Sequence, residues 1–159
     1  MQNLQHRKRA KEQVKIYRLF YYNASPPNEG IYYDGQIYDA YVFASDLIKS
    51  AKKSIILIDN YVDDTVLTML SKRAKNITAV IHTAKISKQL SLDLQKHNEQ
   101  YPKILIKTYS FAHDRFLILD NQTVYHIGAS LKDLGKKMFA FSKINLNPDD
   151  LINRLDLNQ

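Results

Sequence analysis

The run SIILIDN at residues 54–60 limits the fold of this chain more than any other feature. It is short, rich in isoleucine and apolar on both faces, which is typical of a buried central strand. A strand buried on both faces needs helices on both sides of its sheet, so the run predicts an α/β domain. The early strands alternate with helices, which favours parallel pairing, and a later hairpin favours antiparallel pairing. The sequence therefore predicts a mixed β-sheet flanked by helices.

The boundaries of the other elements follow from periodicity, caps and turn residues. Helices are predicted over 3–22, from Ile37 to residue 51, after a cap at Asp63 or Asp64, from a cap at Ser87 through His97, and from Asn147-Pro148 onward. Further strands are predicted over 77–83, 103–109, 115–120, 123–128 and 138–144. The breaker cluster NASPPNEG at 23–30 predicts a linker. These boundaries divide the chain into a basic helix with its linker, residues 1–30, and a domain, residues 31–159.

Composition excludes several classes of protein. A length of 159 residues suits one domain with its own core. The chain has no cysteine, which excludes disulfides and thiolate metal sites. The first twenty residues lack the apolar run of a signal peptide, and the aliphatic runs are too short to span a bilayer. We therefore expect a cytoplasmic protein.

The charge of the chain is concentrated at its beginning. Residues 1–18 hold six basic residues and one acidic residue, out of a net charge of +7 for the whole chain. The first four basic residues are Arg7, Lys8, Arg9 and Lys11. This basic leader can hold the phosphate backbone of nucleic acid. A solvated helix that keeps the protein soluble accounts for the same pattern equally well.

The segment FAHDRFLILDNQTVYHIGASLKDLG at 111–135 carries the candidate chemistry. If residues 113–119 are extended, His113 and Arg115 point to the same face of a strand. A neutral imidazole can attack phosphorus while a fixed cation stabilises the phosphoryl oxygens, so the pair suits a phosphoryl group. Asp120 has the opposite parity and lies at a turn, which favours a structural role. A strand-end histidine followed by ordinary turn residues is the alternative interpretation.

Residues around this segment extend the candidate site. His126 on the following strand could lie near the same region. Gly128 permits close approach of the backbone to a ligand, and three lysines add positive potential, namely Lys132, Lys136 and Lys137. Asp59 and Asn60 follow the central strand, where ligands gather in α/β sheets. Tyrosines could stack on bases or could cover a core or an interface, and they lie at positions 21, 22, 32, 33, 38 and 41.

The pattern from His113 to Ser130 resembles the phospholipase D superfamily motif, in which His-x-Lys, four residues and Asp precede a Gly-Ser turn. Here His113, Arg115, FLIL and Asp120 are followed by HIGAS. The upstream segment SIILIDNYVDDTVLTMLSKRAKNITAVIHT resembles the first strand–helix–strand unit of that fold, so the resemblance covers about residues 37–145. More narrowly, GIYYDGQIYDAYVFASDLIKSAKKSIILIDNYVDD, HDRFLILD and GASLKDLGKK resemble the C-terminal region of bacterial proteins with an ORF6N-type DNA-binding domain.

The resemblance implies a phospholipase D-like half-domain. It implies His113 as a nucleophile that forms a phosphohistidine, Arg115 in the place of the phosphate-binding lysine, and Asp120 as a supporting catalytic residue. It assigns phosphate binding to the turn that carries Gly128, Ser130 and Lys132. No cofactor or metal is implied. A second copy of the motif supplies the general acid in active members, so the single copy here implies a homodimer with two-fold symmetry.

The sequence departs from the motif at the lysine, which is Arg115, and at the turn, which reads Gly128-Ala129-Ser130-Leu131. One extra residue separates Asp120 from the glycine. His-Asp-Arg also resembles a degenerate motif in the membrane-binding C-terminal domain of midbody proteins of the microtubule-interacting-and-transport family.

Three hypotheses follow: a DNA- or RNA-binding module with weak or no catalysis, a metal-independent homodimeric nuclease, and a phosphoinositide-binding membrane module. The basic leader favours nucleic acid over a membrane, because no stretch offers large apolar residues for insertion.

Overall fold

A computed structural model describes residues 4–9, 11–12 and 26–158. Residues 4–9 and 11–12 are helical, in agreement with the helix expected at the start of the chain. The rest of that helix and residues 23–25 of the expected linker lie outside the described residues. The division into residues 1–30 and 31–159 stays a prediction.

Seven strands form one sheet in the part of the chain that the structure describes, in the order β1-β7-β6-β5-β2-β3-β4. The strands are β1 (Glu29–Tyr32), β2 (Ser54–Ile58), β3 (Thr78–Thr83), β4 (Ile104–Thr108), β5 (Arg115–Leu119), β6 (Thr123–Ile127) and β7 (Phe139–Ile144). β2 pairs in parallel with β3, and β3 with β4. All other pairs are antiparallel, so the mixed sheet predicted from the sequence is confirmed. β1 was not predicted.

Within residues 26–158, four helices flank this sheet: α1 (Ile37–Ser50), α2 (Asp64–Leu70), α3 (Lys88–Gln100) and α4 (Pro148–Leu157). A short 3-10 helix spans Leu131–Asp133. Helix starts follow the predicted caps, since the side chains of Asp63, Ser87 and Asn147 each accept a hydrogen bond from a backbone N–H of the first turn. Each cap satisfies a donor that would otherwise have no partner in the helix.

The two faces of the sheet are covered by different helices. On one face, Leu117 and Leu119 of β5 belong to the main core with residues of α1, α2 and α3. On the other face, Phe116 packs with Leu151 and Leu155 of α4. Alternate residues of β5 therefore point to opposite layers, and Arg115 begins the series that faces the main core.

Candidate phosphodiester-binding site

Asp59 is the structural anchor of the candidate site. It follows β2 at the carboxyl end of the strand and is completely buried. Its carboxylate accepts hydrogen bonds from Ser130 Oγ at 2.8 Å, from the Leu131 backbone N–H at 2.9 Å and from the Tyr61 backbone N–H at 3.0 Å. Burial raises the pKa of the Asp59 carboxyl group, and these hydrogen bonds act against that rise. Asp59 therefore ties the loop after β6 to the end of the central strand.

Two cations lie near this anchor. Arg115 is half-exposed at the start of β5, and its guanidinium carbon lies 5.7 Å from the centroid of the Tyr61 ring. Lys132 lies in the 3-10 helix, and its Nζ is 3.0 Å from a carboxylate oxygen of Asp133. Both cations interact electrostatically with Asp59. Hydrogen bonding to Asp133 raises the pKa of Lys132, which keeps this side chain charged.

This arrangement can bind an anion at the edge of the sheet. The planar fork of Arg115 suits two phosphate oxygens at once, and Lys132 adds a compact charge. The buried Asp59 carboxylate holds the loop in place through Ser130 and Leu131. The sequence placed Asp59 and Asn60 near the site from strand topology alone, and the structure adds that Asp59 organises the loop.

His113 lies outside the strand that Arg115 begins. Residues 113–114 form a bend, and the extended conformation begins only at Arg115. His113 is exposed and is one of the residues around a groove of about 260 Å³, which is also lined by Ile58, Tyr109, Phe111, Ala112, Asp114, Phe116 and Leu151. Alternation along a strand does not continue through a bend, so the expectation that His113 and Arg115 project together stays a prediction.

Tertiary contacts hold this bend. Asn60 donates a hydrogen bond from its side-chain amide to the Ala112 carbonyl oxygen at 2.8 Å. His126 Nε2 lies 3.5 Å from a carboxylate oxygen of Asp114. The rings of His126 and Phe116 are 5.8 Å apart, so His126 lies on the α4 side as well. Sequence reasoning missed the Asp114–His126 pair, although the cross-strand register of β5 and β6 brings these residues close.

Asp120 lies at the opposite end of β5, roughly 16 Å from Arg115 along an extended strand. Its carboxylate accepts hydrogen bonds from the backbone N–H groups of Lys52, Lys53 and Ser54. Burial alone would raise the pKa of Asp120, but these three donors outweigh it and lower the pKa. Asp120 thus joins the β5–β6 turn to the start of β2, which is the structural position that its parity indicated.

Gly128 and Ser130 also use their polar groups inside the protein. The Gly128 N–H donates to the Ala140 carbonyl oxygen of β7 at 2.8 Å, and a Cβ at Gly128 would lie 2.9 Å from the same oxygen. The close approach that requires glycine at position 128 is therefore an approach to the backbone of β7. Ser130 is buried, and its hydroxyl group donates to Asp59. Of the three residues expected to bind phosphate in this turn, Lys132 alone presents a side chain that carries positive charge.

The remaining expected contributors lie on the surface. Arg7, Lys8, Arg9 and Lys11 are exposed, as are Lys136 and Lys137, and Lys136 forms an ion pair with Asp133 at 2.8 Å. Within residues 4–9, 11–12 and 26–158, no group of three or more histidine, aspartate or glutamate side chains is arranged to hold a metal ion. No helix among the described residues is long and apolar enough to cross a membrane.

Comparisons with solved structures identify the fold. NucT from Helicobacter pylori superposes with a TM-score of 0.56 at 12% identity, over 81% of this chain and 91% of that chain. Phosphatidylserine synthase from Haemophilus influenzae Rd KW20 gives 0.55 at 15% identity, over 79% of this chain and 36% of that chain. TrmBL2, an archaeal chromatin protein described as having a novel mode of DNA binding, gives 0.52 at 12% identity, over 99% of this chain and 60% of that chain.

The fold is phospholipase D-like, as the sequence predicted, since NucT and phosphatidylserine synthase share that architecture. No family model and no curated protein matches the sequence. Identities of 12–15% establish the fold alone. The narrower resemblance to proteins with an ORF6N-type domain stays a prediction.

Proposed function

We propose that this chain binds the phosphodiester backbone of nucleic acid, DNA or RNA, and cleaves it weakly or not at all. The observation that carries the proposal is the position of Arg115 and Lys132 around the buried Asp59 at the edge of a phospholipase D-like sheet. Two cations of this kind stabilise a phosphate through charge-assisted hydrogen bonds. The exposed basic residues of the leader and the similarity to the DNA-binding TrmBL2 support nucleic acid over lipid.

The geometry of the histidines supports binding over cleavage. A phosphohistidine mechanism needs an imidazole and a cation on the same phosphate. His126 lies on the Phe116 side of the sheet and His113 belongs to a bend before β5, whereas Arg115 begins the series of side chains that faces the main core. Arginine also differs from lysine in length and shape, so binding tolerates this replacement better than turnover does.

Fluorescence anisotropy with labelled oligonucleotides tests the binding site. Arg115→Ala should weaken binding by about 1–3 kcal/mol, the usual scale for a charge-assisted contact. Arg154→Ala is the matched control, because Arg154 is an exposed arginine on α4, in the layer on the other side of the sheet. Equal affinity of wild type and Arg115→Ala, measured at the same salt concentration, would exclude Arg115 as a phosphate ligand.

A homodimeric nuclease is the alternative for the same fold, and we propose a homodimer because one motif copy supplies half of such a site. A two-fold interface should bury well over about 1,000 Å² and appear as a dimer in sedimentation at micromolar concentration. EDTA-resistant cleavage by wild type that disappears in His113→Ala would establish the nuclease and overturn the binder. A monomer without cleavage would exclude the nuclease alternative and the dimer, and would leave the binding proposal intact.

A further inference from the structure

His82 is a buried histidine on the face of the sheet that α4 covers. It lies on β3, where Ala79 and Ile81 belong to the main core, so alternation directs His82 to the opposite face. His82 is 3% exposed, and its ring meets that of Tyr109 edge-on with centroids 6.2 Å apart. Tyr109 and Leu155 of α4 belong to one apolar cluster. His82 is therefore part of the layer on which α4 rests.

The surroundings of His82 favour a neutral imidazole. Among the described residues, its buried Nδ1 has no hydrogen-bond partner. A charged imidazolium would carry a donor on both ring nitrogens and would leave the donor at Nδ1 unpaired in an apolar layer. Burial lowers the pKa of His82, and the charge of Lys107 lowers it further. His82 is therefore neutral while α4 is docked.

The elements packed around His82 offer little to stabilise a positive charge. In the strand register, β2 places the apolar Ile58 beside His82, and β4 places the cation Lys107 there. The segment after β4 contributes Tyr109. α4 contributes Asp156, which favours the charged form of His82 but is exposed to solvent. An exposed carboxylate is screened by water, so Asp156 offsets little of the cost of charging the imidazole.

α4 is held to the sheet by a small contact. Leu155 is the buried residue of this helix, and it packs with Ile58 and Tyr109. Leu151 is partly buried against the same cluster. A helix with so few buried apolar contacts opens at a lower free energy than the central strands beneath it. Once α4 leaves, water reaches this face of the sheet and His82 can take up a proton.

We propose that His82 makes the docking of α4 sensitive to pH, so that acidification releases the helix from the sheet. In the open state the imidazole is in water and has its ordinary pKa of about 6.5, whereas the closed state has a lower pKa and excludes the proton. The open state therefore binds more protons, and the closed state loses stability as the pH falls below about 6.5. Because Leu151 lines the groove that His113 borders, release of α4 also opens that groove.

Amide hydrogen exchange, corrected for the intrinsic effect of pH on exchange, measures the opening of α4. Between pH 7.5 and pH 5.5 the opening constant of residues 148–157 in wild type should rise about tenfold, the value for uptake of one proton by a group with a pKa of about 6.5. The amides of β2 and β3 should keep their protection, since the release is local.

Two histidine variants show which side chain carries the response. His82→Phe keeps an aromatic ring and removes the proton site, so the protection of its α4 should be equal at the two pH values. His126→Phe is the matched control, because His126 lies on the same side of the sheet but is half-buried and lies beside Asp114. The control should retain the tenfold response of wild type.

Equal protection of α4 in wild type at pH 7.5 and pH 5.5 would overturn the proposal, as would a response that persists in His82→Phe or disappears in His126→Phe. Loss of protection in β2 and β3 together with α4 would show unfolding of the whole domain and would overturn it as well. If His82→Phe does not fold, an NMR titration of the wild-type imidazole decides the matter. We expect His82 to titrate below pH 6.5 in the folded protein, and titration at or above pH 6.5 would contradict a closed state that excludes the proton.

Discussion

At the scale of single residues, Asp120 shows how a motif residue can stabilise the fold. Its carboxylate accepts three backbone N–H groups at the start of β2, and its φ of +58° places it in the left-handed region. Asparagine tolerates that backbone conformation, so Asp120→Asn tests the charge without adding strain. We expect Asp120→Asn to lower the free energy of unfolding by about 1–3 kcal/mol at pH 7 and to leave nucleic-acid affinity unchanged. Urea unfolding measures the first quantity and anisotropy the second.

The pH dependence of this effect follows from the lowered pKa of Asp120. A carboxyl group whose pKa is lower in the folded state contributes stability above its unfolded pKa, about 3.9, and loses it as the pH falls through the folded value. The difference between wild type and Asp120→Asn should therefore be full at pH 7 and shrink below about pH 4. Asp46→Asn, at an exposed position on α1, is the control and should have little effect. A loss of stability that stays constant between pH 7 and pH 3 would contradict the role of the charge.

At the scale of elements, the sequence predicted what local patterns determine. The central strand was visible because both of its faces are apolar, and Asp63, Ser87 and Asn147 marked helix starts because each caps through its own side chain. β1 escaped prediction because it follows a pair of prolines and depends on pairing with β7. A short edge strand of this kind has no periodic signal of its own.

The candidate site was predicted only in part, because local patterns do not determine contacts between residues that are distant in sequence. Alternation along β5 correctly placed Leu117 and Leu119 toward the core. It does not extend to His113, since contacts distant in sequence hold the bend there, among them the hydrogen bond from Asn60 to Ala112. The anchoring role of Asp59 depends on Ser130 and Leu131, which are distant in sequence and meet it only in the folded sheet. Spacing along the chain identifies candidate residues, whereas their direction at the end of a strand depends on tertiary contacts.

At the scale of the whole molecule, positive charge is divided between two regions with different consequences. Arg115 and Lys132 lie beside Asp59 at the end of β2, where we propose that a phosphate binds. The leader instead presents exposed cations on a helical segment, where charge alone acts. When such exposed cations contact phosphates, they release counterions from the nucleic acid and therefore make the affinity depend on salt concentration. The salt dependence of binding separates the leader from the site.

Replacement of Arg7, Lys8, Arg9 and Lys11 by glutamine should reduce the log–log slope of affinity against salt concentration. Each lost phosphate contact reduces the slope by about 0.9 on duplex DNA and by about 0.7 on a single strand, so four contacts on a single strand account for roughly 2.8.

The matched control replaces four exposed lysines of the domain, Lys75, Lys88, Lys96 and Lys103, and removes the same net charge. Anisotropy titrations between 50 and 200 mM salt measure both slopes. We expect the control to retain the wild-type slope, because these lysines lie around β3, α3 and β4 and not in the leader. Equal slopes for the leader variant and wild type would show that the leader makes no phosphate contacts. An equal reduction of the slope in the leader variant and in the control variant would show that the leader acts through net charge alone.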